Sequence, residues 1–204
     1  LAMGLAFGKT LSIPDDSPQG ITSYWEQSVW MATLSGAIST AMPKETRPEF
    51  GLVYLSGLLH NFGYLVLAHV FPPHFSLTNR YIEVNEQCDP ELCEHHLLGI
   101  TREQIGSQLM YTWNMPEEVV TALRHQKNSS YEDDHAVYSM IIYVATQFLR
   151  EKNISQGPVK PIPQSIWDAM QITEEAAREV FDELMSMADE IRGLAGTLED
   201  AISA

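Results

Sequence analysis

The sequence predicts an all-α protein: apolar residues recur at spacings of three and four, no strand-like alternation is sustained, and capping signatures mark several helix starts. A first long helix is expected from about Thr22 to Met42, with Trp25, Val29, Ala32, Gly36 and Ser39 on one side and Pro43 as its stop. Lys44 to Pro48 reads as a short connection. From Glu49, the series Leu52, Leu55, Leu58, Leu59 and Phe62 predicts a deeply buried helix carrying His60 and Asn61 at its end, with Gly63 allowing a break. Helix resumes over Leu65 to Val70 and is expected to stop at Pro72-Pro73, followed by an irregular stretch.

Pro90 to Leu98 is predicted helical, closed by Gly99 in a left-handed cap. Thr101 with Gln104 forms a capping-box signature, so the next helix starts at Arg102 and runs to Trp113. Pro116 opens another, ending near Lys127, and the polar run Asn128 to Asp134 is a loop. A further helix spans about His135 to Lys152. Asn153 to Pro163 carries one Gly and three Pro and suits an exposed connector. Beyond Gln164, Thr173 with Glu174 and Glu175 starts a last long helix with Ala176, Val180, Leu184, Met187 and Ile191 on its apolar side.

The expected organisation is a helical core over 1–152, a connector over 153–163, and C-terminal helices over 164–204 that pack on or beside it. With 204 residues, 45% of them hydrophobic, one substantial core can form. The apolar start at Leu1, Met3, Leu5, Ala6 and Phe7 reads as the end of a helix belonging to something longer. A formal charge of -15 argues against nucleic acid and anionic membrane surfaces as partners, since a polyanion is repelled. No apolar run approaches the roughly 20 residues of a membrane span. Two cysteines make no disulfide framework and no secretory leader is evident, so the expected location is cytoplasmic.

Four stretches resemble the HDOD domain, a regulatory branch of the HD metal-dependent phosphohydrolase superfamily: Trp25-Glu26-Gln27-Ser28, Gly57 to Gly63, Glu94 to Gly106, and Trp113-Asn114-Met115-Pro116. Their order and spacing match over roughly residues 20 to 150. The resemblance implies a compact helical bundle of the HD-domain type with a C-terminal helical appendage. In the superfamily, histidines and aspartates from separate helices converge on one or two divalent metals that activate a water against a phosphoester.

At the matching positions this chain has Gln27 for a histidine, His60 and Asn61 for the His-Asp doublet, Arg102 for a further histidine, Gln126 and Lys127 for a histidine pair, and Thr146 for an Asp or Asn. His125 falls one place early. Cations at Arg102 and Lys127 would repel a bound metal ion by about 4 kcal/mol per unit charge at close approach. The resemblance therefore implies a non-enzymatic signalling module without a metal or other cofactor. Its expected partner is a signalling protein or adjacent domain.

A cleft lined by Gln27, His60, Arg102 and Lys127 also suits an anionic small molecule, such as a nucleotide; side chains that pack locally would leave no such cleft. An apolar stripe on the C-terminal helix would instead serve a homo-oligomer. The alternative activity is a metal-dependent phosphohydrolase with a reduced or rearranged site. Cys88, Cys93, His95 and His96 form a second cluster of metal-ligand types, but adjacent histidines diverge on a helix and the spacing is poor for zinc; packing of Cys93 inward is the expectation.

Overall fold

The computed structural model describes residues 21–85 and 87–203, with side chains described over 24–85 and 87–197. The predicted helix end at Leu1 to Phe7 lies outside the described residues. All regular structure among those residues is α-helical: α1 Ile21–Ala41, α2 Phe50–Leu59, α3 Phe62–Val70, α4 Pro72–Val84, α5 Pro90–Leu98, α6 Arg102–Thr112, α7 Glu117–His125, α8 Ala136–Glu151, α9 Gln164–Met170, α10 Glu174–Ser186 and α11 Ala188–Ser203.

α1 is the axis of the bundle. It packs against α2, α8, α10 and α11, so that Trp30, Met31, Leu34 and Ile38 are fully enclosed. Burial extends around the helix rather than along the single predicted side, because neighbours approach from several directions. The crossing with α2 is close: a Cβ on Gly57 would lie 2.6 Å from the Ala32 Cα, a distance that only glycine permits. α8 is buried along nearly its whole length and joins α1 to α7.

The break between α2 and α3 falls at His60 and Asn61, one turn before the expected hinge at Gly63. His60 N–H reaches the Gly57 carbonyl three residues back rather than four, and Asn61 leaves helical geometry with φ −108° and ψ 19°. Gly63 has a different task. A Cβ there would meet the Arg102 carbonyl oxygen at 1.9 Å and Gly106 N at 2.9 Å, so the residue lets α3 cross α6 almost backbone to backbone. Phe50–Val70 is long and apolar enough to cross a membrane, but it is broken at this point and 61% of its apolar window is buried in the bundle.

Three expectations are corrected. Pro72 and Pro73 do not end helical structure; they begin α4, since a proline in the first turn loses only an N–H that has no helical partner. The last long helix is interrupted at Met187, and the residues α10 buries most deeply are Ala177 and Phe181 rather than Ala176 and Val180. Phe181 stacks at 5.3 Å from Phe148 of α8, which draws the C-terminal helices into the same apolar core. The segment 153–163 is mostly half-buried, not exposed. Side chains of α8 hold it: Arg150 donates to the carbonyls of Gln156 at 2.8 Å and Pro158 at 3.0 Å, Tyr143 to that of Pro161 at 3.3 Å, and Gln147 Oε1 accepts from Lys160 N at 2.8 Å. It forms a strap across one end of the bundle.

The capping predictions hold in detail. Thr101 Oγ1 accepts from Gln104 N at 3.3 Å while Gln104 Oε1 accepts from Thr101 N at 3.1 Å, and Gly99 takes φ 71° after α5.

Candidate functional site

Under the strap lies a small cavity. Gln27 comes to it from α1, His60 and Asn61 from the α2–α3 break, Arg102 and Glu103 from the first turn of α6, Gln126 and Lys127 from the end of α7, and Thr146 from α8. Pro90, Ser155 and Gln156 complete the wall. All seven positions aligned with superfamily ligands therefore face one space. Its volume is about 20 Å³, room for about one water molecule.

His60 Nδ1 lies 2.7 Å from the Gly57 carbonyl oxygen. A carbonyl only accepts, so Nδ1 carries the proton and Nε2 is the ring's acceptor. Burial pushes the His60 pKa down to about 4, reinforced by the charges on Lys127 and Arg102 and opposed by the Gly57 carbonyl and Glu103. The ring is neutral at physiological pH. This is the tautomer and second-atom support that metal-ligating histidines use, and it survives intact.

The two cations do not survive as free charges. Arg102 Nε donates to Glu94 Oε1 and its backbone N–H donates to Glu94 Oε2 at 2.9 Å, and the guanidinium sits 4.9 Å over the Tyr64 ring. Both partners are buried, with side-chain exposures of 8% and 1%. Burial pushes the Glu94 carboxyl up, and the bonds from Arg102 oppose that shift. Lys127 Nζ is 3.7 Å from Glu103 Oε1, and burial lowers the lysine's pKa. On the far side of this second pair lies an open groove of about 760 Å³, lined by Glu91, Ile100, Arg124 and His125 among others. His125 stacks on Tyr131 at 3.8 Å and belongs to this outer face, not to the cavity.

Two of the remaining wall residues are structural ties. Gln126 Nε2 donates to the carbonyls of His60 at 2.8 Å and Leu123 at 2.9 Å, clamping the end of α7 to the α2–α3 break. Thr146 Oγ1 donates to Ile142 O at 2.7 Å within its own helix. Asn61 is the residue before α3 and its side chain makes no capping bond there; Gln27 is buried on α1. Next to the wall, Asp89 caps α5 and meets Lys160 Nζ at 2.7 Å and Arg150 Nη2 at 3.6 Å. Burial raises its pKa, but Lys127, Lys160 and Arg150 outweigh this and hold it at about 2.

A divalent metal does not fit this donor set. Among the described residues no three His, Cys, Asp or Glu side chains gather around one point, and a guanidinium and an ammonium occupy the wall where carboxylates or imidazoles would be needed. The same holds for Cys88, Cys93, His95 and His96: Cys93 is buried, whereas both histidines are exposed and His96 faces Tyr81 at 6.4 Å between ring centres. Sequence reasoning missed Glu94, Glu103, Asp89 and Arg150, which balance the charge of the cavity and hold its roof. Glu94 and Glu103 lie in the Glu94 to Gly106 stretch but not at its ligand positions, and Asp89 and Arg150 find their partners through a distant helix or the strap.

Comparison with known proteins gives the following. The family profile of the HDOD domain matches residues 1–129. A candidate signal transduction protein from Marinobacter aquaeolei VT8 has a crystal structure with TM-score 0.90 at 46% identity, covering 97% of this chain and 44% of that one. An HDOD domain protein of unknown function from Geobacter sulfurreducens aligns with TM-score 0.77 at 17% identity over 95% of this chain and 67% of its own. A candidate phosphohydrolase from Shewanella amazonensis SB2B aligns with TM-score 0.66 at 16% identity over 89% and 66%. An uncharacterised protein of Treponema pallidum (strain Nichols) is 24% identical over 180 residues, 86% of this chain and 33% of that protein. The chain thus spans less than half of the Marinobacter protein and a third of the Treponema one.

Proposed function

Because the chain belongs to the HDOD domain family, we propose that it is a non-enzymatic signal-transduction module whose former ligand cavity now acts as a structural joint and whose output passes through protein contacts. One observation carries the reading: each cation that replaced a metal ligand is matched by a carboxylate, Arg102 by Glu94 and Lys127 by Glu103. A site arranged this way neither attracts a metal ion nor offers an unspent positive charge to a phosphate. The one-water volume supports the same conclusion, since a nucleotide would need the walls to part.

The contact surface we favour lies on α4 and α5. Leu77, Tyr81 and Val84 follow one another at helical spacing along one face of α4 and are exposed, as are Phe71 before it and Leu92 on α5. Exposed apolar residues gathered in this way are the usual mark of a protein-binding face. The sequence likeness to the Marinobacter candidate signal transduction protein supports a signalling role.

The test is direct. Purified protein is titrated with Mn²⁺, Mg²⁺ and Zn²⁺ by calorimetry and assayed on generic phosphodiester and phosphomonoester substrates. The expected result is no saturable metal binding that depends on His60 and no hydrolysis above that of the free metal. Metal-dependent turnover that disappears in His60→Ala would overturn the proposal in favour of a rearranged phosphohydrolase.

A further inference from the structure

Cys88 and Cys93 flank the start of α5. Asp89 is the N-cap, its Oδ1 accepting from Glu91 N at 3.1 Å, which makes Cys88 the residue before the cap and Cys93 the fourth of the helix. Side chains at these two positions meet across the first turn, where proteins commonly place an apolar pair as a staple. Here both members are thiols. Cys93 is buried and Cys88 is half-exposed.

We propose that Cys88 and Cys93 form a redox-convertible dithiol, a modification site that takes a hydroperoxide or a small disulfide as oxidant and closes into an intramolecular disulfide. Cys88 is the point of attack because it is the accessible member. With hydrogen peroxide, the Cys88 thiolate displaces hydroxide from the O–O bond and becomes a sulfenic acid. The Cys93 sulfur then attacks that sulfur, breaks its S–O bond and releases a second hydroxide. The two thiol protons convert both hydroxides to water, so two thiols and one peroxide give one disulfide and two waters. Burial, together with contact with Cys88, pushes the Cys93 thiol up to about 11, so first attack on the oxidant falls to Cys88.

The covalent staple would close a ring around Asp89, the residue that receives Lys160 from the strap at 2.7 Å. Oxidation therefore bears on the joint between α5 and the roof of the cavity.

Intact mass spectrometry of the whole chain, after graded hydrogen peroxide and then alkylation, tests the site. The expected product has lost about 2 Da, takes up no alkylating groups, and regains both thiols with a dithiol reductant. With oxidised glutathione, Cys93→Ser should accumulate a mixed disulfide at Cys88, and Cys88→Ser should react roughly tenfold more slowly, because only the buried thiol remains. Wild-type protein that stops at sulfinic acid or stable glutathione adducts, forms only intermolecular disulfides, or keeps both thiols free where free cysteine is fully oxidised would overturn the proposal. The wild-type measurement decides the matter even if a variant folds poorly.

Discussion

Replacing Glu94 by Gln removes the counter-charge of Arg102 while keeping shape. Arg102 is nine-tenths buried and donates two bonds to Glu94, one through Nε and one through its backbone N–H. Breaking one partner of a buried ion pair costs about 3–5 kcal/mol, because the other charge stays out of water without compensation. The Tyr64 face at 4.9 Å returns about 1 kcal/mol of that. Glu103 nearby also favours the guanidinium. The expected loss is therefore roughly 3 kcal/mol, a fall in Tm of roughly 6–12 °C for a chain of this size. The double variant Glu94→Leu with Arg102→Met should recover most of it, since an apolar pair carries no desolvation cost. Urea unfolding of wild type, Glu94→Leu, Arg102→Met and the double variant closes a double-mutant cycle and measures the coupling directly. If Glu94→Gln stays within about 0.5 kcal/mol of wild type, Arg102 is not a committed charge and the argument for a neutralised cavity fails.

Four other expectations follow from the geometry. Gly63→Ala should destabilise by about 3 kcal/mol or more, because both atoms it would strike belong to the α6 backbone, whereas Gly193→Ala, with nothing within 4 Å, should stabilise by about 0.5–1 kcal/mol; thermal melts of the pair read both signs. His60 should make the protein acid-sensitive between pH 6.5 and 4. In that window the unfolded ring takes a proton and the folded ring does not, so its contribution is complete above pH 6.5 and about 3 kcal/mol is lost by pH 4; a stability–pH slope unchanged in His60→Gln would count against this. Arg150→Met should release the strap, and hydrogen exchange over residues 154–160 should quicken while the centre of α1 stays protected. Leu77→Glu or Tyr81→Glu should leave the melting curve within about 0.5 kcal/mol of wild type, as suits an exposed contact face; a large loss would mean that these side chains belong to the core.

Helices were legible where a local device sets them. The Thr101–Gln104 box, Gly99 and Pro116 each act within one turn, so their positions can be read without tertiary information. Pro72-Pro73 misled because proline ends one helix and begins the next with equal ease, and only the non-helical geometry of Phe71, φ −132° and ψ 57°, decides which. The place of Gly63 at a helix crossing was invisible for the opposite reason: it depends on Arg102 and Gly106, about forty residues away in sequence. That Gln27, His60, Asn61, Arg102, Gln126, Lys127 and Thr146 lie close together was readable through the resemblance, since all seven line one cavity. Its electrostatic character was not, because that belongs to Glu94, Glu103 and Asp89, acids among 27 that look alike in the sequence.

The strap is held chiefly through its main chain: Arg150 and Tyr143 reach the carbonyls of Gln156, Pro158 and Pro161, and Gln147 takes the amide of Lys160. Its own side chains add the Lys160 ammonium against Asp89 and the packing of Ile154 and Ile162 on the core. The instructions for its path are therefore written in α8. Most letters of the strap can change while its course stays put, but not Gly157, whose φ is 99° and where a Cβ would lie 2.8 Å from both Arg150 Nη2 and Pro90 Cδ; a change at Arg150 would redraw the course. Relatives should accordingly be compared at this roof by what α8 carries, and a roof unalike in sequence can still be the same roof.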